Sequence, residues 1–134
     1  MNDEHYIIDL CDHVLRQTAI RQHRFDFLRG DTGHKLPVDA YYPDLKLVIE
    51  YRERQHFEPI ALWDRRPTVS GISRGEQRAL YDQRRRDLLP DHGIELVELC
   101  NVDFKRRGSK RLLRRAADDE TVIRKRLARW SDGR

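Results

Sequence analysis

The sequence predicts a mixed α/β (α+β) fold, with a central sheet flanked by helices and extra helices at the C-terminal end. Three observations predict it. Helical spacing at the start gives way to three strand-like segments, two of them joined as a hairpin. A capped helical stretch follows. It leads into IELVEL (residues 94–99), which alternates apolar and acidic residues. The order helix, strand, strand, strand, helix, strand builds layers around a sheet. At 134 residues, one domain spanning 1–134 is expected, with a core at about 3–104 and basic helices at 105–134.

Asn2 and Asp3 are suited to cap the first helix, and Glu4 falls in its first turn, where the helix dipole favours a carboxylate. Ile7, Leu10, Cys11, Val14 and Leu15 then recur at helical spacing, so residues 3–17 read as an amphipathic helix. His5, Asp9 and His13 stand four apart on it, a spacing that suits metal ligands but fits a solvated polar face better. Residues 23–28 (HRFDFL) alternate as a first strand carrying Asp26, and Gly30-Asp31-Thr32-Gly33 is a turn. Residues 36–42 form the second strand, with Asp39 on it. Pro43 and Asp44 turn the chain, and residues 45–51 return as a third strand around Leu47, Val48 and Ile49.

Residues 57–73, with Pro59, Pro67 and Gly71, read as a long loop, in which Trp63, Arg65 and Arg66 can touch a nucleic acid or Trp63 can pin the loop to the core. Ser73 and Glu76 form a capping box for a helix to about Leu89, with Leu80, Tyr81 and Leu88 turned inward and Pro90 and Gly93 ending it. Residues 109–117 read as a further helix. Asp118 or Asp119 caps another, through Val122, Ile123, Leu127 and Trp130.

The third strand carries the chemistry. Its apolar run ends in Glu50, Arg52, Glu53, Gln55 and His56 rather than in turn residues. Alternation puts Glu50 and Arg52 on one face, and Asp39 on the adjacent strand can converge with Glu50. Two carboxylates beside a cation at a strand end can hold a hard divalent metal and position a water. The same spacing also fits a surface salt-bridge cluster.

Charge is uneven. The net +4 is concentrated after residue 104, in KRRGSKRLLRRAADDETVIRKRLARWSDGR, and the part before it is net acidic. Lys105, Arg106, Arg107, Lys110, Arg111, Arg114 and Arg115 cluster there, which suits a polyanion such as nucleic acid or a solvated Arg-rich helix. Cys11 and Cys100 lack zinc-ligand neighbours and read as two buried thiols in a reducing compartment. No stretch has transmembrane length and no signal-peptide pattern opens the chain, so a soluble cytoplasmic protein with no membrane partner is expected.

These residues resemble a family. Val38-Asp39-Ala40, then Leu47-Val48-Ile49-Glu50, then Gln55-His56 are similar to the V-D-F, turn, L-V-I-E-x-D-G-x-Q-H pattern of small bacterial domains related to very-short-patch-repair endonucleases, within the PD-(D/E)XK nuclease superfamily. Tyr81-Asp82-Gln83-Arg84-Arg85, followed by Leu89 and Gly93, resembles that family's Y-D-x-x-R helix. The resemblance covers roughly residues 24–101. It implies a restriction-endonuclease-like αβββαβ core and a metal-dependent DNA endonuclease acting in repair, restriction or mobile-element defence.

It further implies Mg²⁺, or Mn²⁺, held by Asp39, Glu50 and a backbone carbonyl near Tyr51. Arg52 would stabilise phosphate charge and His56 would act as general acid or base, while Arg85 and the basic segment would bind DNA. A homodimer is suggested by analogy, since one site cuts one strand. The chain departs from the pattern at Arg52-Glu53, where the family often has Asp-Gly and the superfamily a Lys at the first position. Arginine stays protonated, so it stabilises charge without serving as a base. That departure keeps open a catalytically inactive nucleic-acid-binding module of the same fold. An interaction domain using the basic helices is a third reading.

Overall fold

The computed structural model describes residues 2–53 and 71–131. Helix α1 (Asp3–Leu15) starts where the Asn2 side chain accepts the His5 N–H at 2.8 Å. It ends two residues before the expected limit, because Arg16 turns into the left-handed region at φ 55° and its N–H closes back on the last turn. Ile7, Ile8, Cys11, Val14 and Leu15 form its buried stripe. Strand β1 (Ile20–Arg29) is longer than the HRFDFL segment alone suggests. Strands β2 (Lys35–Tyr42) and β3 (Leu47–Arg52) are joined by one 3-10 turn, Pro43–Leu45, closed by Lys46 at φ 49°. That turn takes Leu45 out of the strand predicted to begin there.

Helix α2 (Arg74–Asp91) opens on the predicted cap, with Ser73 Oγ accepting the Glu76 N–H at 3.1 Å. Pro90 does not end it and sits inside the last turn. The stop is a Schellman closure: Gly93, at φ 75°, donates to Pro90 O at 2.9 Å, and Ile94 donates to Leu89 O at 3.0 Å. Leu89 and Ile94 belong to one apolar cluster, the side-chain contact that accompanies this closure. Leu80 is turned outward at 47% exposure, contrary to expectation. Tyr81, Arg85, Leu88 and Leu89 recur at helical steps and take the sheet side, which carries Leu80 around to solvent.

Strand β4 (Glu95–Cys100) runs parallel to β3, and the sheet order is β1-β2-β3-β4, antiparallel apart from that last pair. The fold is therefore mixed α/β around a four-stranded mixed sheet flanked by helices. One core layer joins the sheet to α1 and the C-terminal helices through Ile7, Leu15, Tyr42, Ile49, Leu99 and Ile123. A second, smaller layer lies under α2. Cys11 is buried, but Cys100 at the end of β4 is half-exposed, so only one of the two thiols is interior.

The segment expected to be a helix over 109–117 is instead a hairpin, β5 (Arg106–Arg107) against β6 (Arg111–Leu112), turning at Gly108 with φ 74°. A helix would stack like charges four apart at Lys110–Arg114 and Arg111–Arg115, which is unfavourable. The hairpin backbone has tertiary partners instead. Asn101 Nδ2 donates to the Ser109 and Lys110 carbonyls, and Leu112 N–H donates to Asp3. Helix α3 (Ala116–Arg126) then carries Asp118 and Asp119 within its first turn rather than as caps, and α4 (Ala128–Ser131) follows. Among the described residues no helix is long and apolar enough to cross a membrane.

Leu89 is fully buried whereas Leu80 on the same helix is not. Leu89→Ala is expected to lower stability by about 2–5 kcal/mol, and Leu80→Ala to change it by roughly 0.5 kcal/mol or less. Urea denaturation checks both. Equal losses would contradict this placement of α2.

Candidate functional site

The site begins with a break in alternation. Val38 packs in the α2 layer, yet Ala40, two residues on, packs in the α1 layer. Strand β1 breaks at the same level. Arg21 reaches Asp9 and Asp12 of α1, while His23 stacks on Tyr41 of the α2 layer. Between them Gln22 takes φ 55°, a conformation that re-aims the chain much as a bulge does. The pairs Arg21–Ala40 and His23–Val38 set Gln22 opposite Asp39. Asp39 is thus the residue at which β2 changes face.

The β2–β3 ladder registers from Tyr42–Leu47 to Ala40–Ile49. Beyond Ile49, side chains take over the main-chain partners. Asp39 Oδ2 accepts the Tyr51 N–H at 2.8 Å, and Glu50 Oε2 accepts the Asp39 N–H at 2.5 Å. Each strand thereby holds the other's carboxylate. Glu50 is 2% exposed. Its Oε1 lies 3.2 Å from Arg52 Nη1 and 3.5 Å from Arg85 Nε.

Both arginines are themselves held. Arg52 reaches Asp82 at 2.9 Å and Glu98 at 3.1 Å, and Glu98 also takes Arg86 at 2.7 Å. Arg85 donates to Pro37 O at 2.9 Å and to Asp82 at 3.1 Å. The buried Arg52 Nη2 has no hydrogen-bond partner among the described residues.

Burial, and then the charge of Asp39, raises Glu50 to about 7 against the pull of Arg52 and Arg85. Burial also raises Asp39, opposed by the Tyr51 N–H and the two arginines. Glu4 of α1 is raised as well, by burial first and by Asp39 second, and its Oε2 accepts from Gln22 Nε2 at 3.2 Å. Asp39 is therefore crowded by carboxyl groups on both sides. Burial alone would raise Glu98, but the hydrogen bonds from Arg86 and Arg52 outweigh it and hold Glu98 low. Burial disfavours the Arg52 charge, and the carboxylates of Glu50, Asp82 and Glu98 more than restore it.

Asp39, Glu50, Arg52 and Arg85 thus meet in space. His56, and with it Gln55, Trp63, Arg65 and Arg66, lies outside the described residues. Tyr51 gives its N–H to Asp39, but its side chain packs on the opposite, α1 face. Glu4 and Gln22 join the neighbourhood without a local sequence signal, since Glu4 reads only as a favourable first-turn carboxylate. Asp26 is exposed and paired with Lys35 at 2.6 Å, away from this cluster. On α1, Asp9 pairs with Arg21 and His13 faces Glu120 at 3.6 Å. Among the described residues no group of three or more His, Cys, Asp or Glu side chains is set to hold a metal ion.

Of the basic segment, Arg106, Arg107, Lys110 and Arg111 sit on the hairpin. Arg114 is tied to Asp3 at 2.9 Å and lies over the Tyr6 ring, Lys105 pairs with Asp118, and Arg115 precedes α3. Comparison with protein-family models, with curated proteins and with solved structures gives no match.

The raised Glu50 makes a signed prediction. In the folded chain Glu50 holds its proton up to about 7, while the unfolded value is the ordinary 4.5. Between these values the folded form binds more protons, so stability falls as pH rises through that window. Gln at this position has no proton to lose. The urea midpoint of Glu50→Gln is expected to decline less from about pH 5 to pH 8 than that of the wild type. Parallel declines would assign the titration to other groups.

Proposed function

We propose that this chain is a metal-dependent DNA endonuclease with a restriction-endonuclease-like core of the PD-(D/E)XK kind. The observation that carries the reading is the pair Asp39–Glu50, two carboxylates held together in the gap where β2 and β3 stop pairing, with arginines behind them. Their donor chemistry fits Mg²⁺ or Mn²⁺, hard cations that take one or two carboxylates and complete their shell with water and phosphate oxygens. A buried Glu50 whose proton affinity is raised by the neighbouring Asp39 charge would be relieved by a divalent cation. Asp39, Glu50 and the main-chain carbonyl of Tyr51 would hold it. When bound, such an ion polarises a phosphodiester and lowers the pKa of an attacking water.

The chain's own groups divide the remaining work. Arg85 and Arg52 orient the Glu50 carboxylate, and Asp82 and Glu98 hold Arg52 in place. The Nη2 of Arg52, buried and without a hydrogen-bond partner among the described residues, would have to be uncovered to serve a phosphate oxygen. His56, whose ordinary pKa lies near neutrality, would move the proton. A second reading is a DNA-binding module without catalysis. It is favoured by Arg52, an always-charged group held by three carboxylates where the superfamily has a lysine.

Plasmid DNA, with branched and mismatched duplexes beside it, separates the two. The purified chain is expected to nick or cut at least one form with Mg²⁺ or Mn²⁺. Asp39→Asn and Glu50→Gln should each abolish cutting while far-UV circular dichroism stays unchanged. Binding without cutting under every condition would favour the second reading, and a variant that cuts at the wild-type rate would remove that residue from the site.

A further inference from the structure

The hairpin β5–β6 gathers four basic side chains within six residues. Several basic side chains elsewhere, such as Arg52, Arg86 and Arg129, are met by carboxylates. On the hairpin, Arg106, Arg107, Lys110 and Arg111 have no carboxylate partner among the described residues. Arg107 and Arg111 are direct cross-strand partners, a like-charge pairing that works against the ladder. The two-residue strands persist because their frame is held elsewhere. Leu112 is buried, Asn101 holds the turn carbonyls, and Asp3 takes both the Leu112 N–H at 3.1 Å and the Arg114 guanidinium at 2.9 Å. The fold thus spends neutral and acidic partners on keeping the ribbon in place and leaves its charged side chains free.

The position of the hairpin ties it to the carboxylate pair. Strand β4 runs parallel to β3 with Arg52 level with Cys100, so both strands end on the same side of the sheet. The chain then passes through one 3-10 turn, Asn101–Asp103, into the hairpin. Its anchor Asp3 precedes Glu4, the carboxyl group whose proton affinity Asp39 raises.

We infer that this hairpin binds the phosphate backbone of duplex DNA and holds it across the Asp39–Glu50 end of the sheet, an inference that takes its choice of nucleic acid from the proposed function. Guanidinium groups recognise phosphate bidentately, and a two-stranded ribbon is narrow enough to follow a groove wall. Duplex is favoured over single-stranded nucleic acid because single-strand sites stack bases on aromatic side chains. From Lys105 to Arg115 there is no aromatic residue.

Fluorescence anisotropy of the full chain on a labelled duplex, its single strand and the matching RNA duplex, in EDTA across a salt series, tests this. Changing Arg106, Arg107, Lys110 and Arg111 to Ala is expected to weaken duplex binding and to flatten the slope of log affinity against log salt by about 2–4 units. Changing the three arginines to Lys should retain most of the slope. If the fourfold variant is not folded by circular dichroism, the exposed pair Arg107→Ala/Lys110→Ala is read instead, with a flattening of about 1–2 units expected. An unchanged slope in a folded variant overturns the inference, as does a hairpin-dependent preference for the single strand or the RNA. Cleavage is read separately with Mg²⁺. A wild-type chain that binds through the hairpin but cuts nothing sinks the hydrolytic reading and leaves the hairpin site standing. A variant that binds and cuts like the wild type sinks the hairpin site alone.

Discussion

The exchange of main-chain N–H groups between Asp39 and Glu50 sets the shape of this end of the molecule. In an antiparallel pair the ladder normally satisfies each main-chain donor. Here the Asp39 and Tyr51 donors are given to carboxylates. A buried carboxylate is costly without partners, so the two acids and the opened ladder stabilise each other: the acids gain N–H donors, and the donors escape burial without an acceptor. The left-handed Gln22 on the neighbouring strand lets β1 follow the same change of face as β2, while β3 keeps its alternation.

Around that exchange the charges are arranged in shells of alternating sign. Glu50 lies inside, then Arg52 and Arg85, then Asp82 and Glu98, with Arg86 outermost. The shells link β3, β4 and α2, the three elements of the parallel crossover. Removing one member of such a buried set leaves its neighbour unpaired, which is where large losses arise. The set fixes where α2 sits while its apolar face is modest. Gly75 and Leu89 are its buried residues, so ion pairs supply registry that packing alone does not.

Much of this was legible in the sequence, and the failures have physical causes. An apolar strand that runs straight into Glu-x-Arg announces a charged strand end, and helical spacing from Tyr81 puts Arg85 on the face toward the sheet. The change of face at Gln22 was not legible, because a non-glycine residue in the left-handed region carries no compositional mark. Nor was Glu4, which is 35 positions from Asp39 and meets it across Gln22. Residues 109–117 misled because Leu112, Leu113 and the surrounding arginines imitate an amphipathic period. Like-charge crowding and the tertiary grip of Asn101 and Asp3 override it. Leu80 misled for the opposite reason: it is apolar in a helix whose inward stripe is partly arginine.

The acid-crowded strand end and the cationic hairpin answer one electrostatic difficulty between them. A sheet end bearing Glu4, Asp39 and Glu50 repels any polyanion that approaches it, and burial strengthens that repulsion by removing water. Arg52 and Arg85 offset it only in part, since each already faces carboxylates. A phosphate chain brought there therefore needs a second source of positive charge that is not consumed internally. On the proposed reading the hairpin would meet that requirement: Arg107, Lys110 and Arg111 are exposed, its frame is tied to the N-terminal turn of α1 through Asp3, and Glu4 follows in the same turn. If the proposed function holds, charge held apart in this way would let one end of the fold concentrate acid for a cation while an adjoining element attracts the anion.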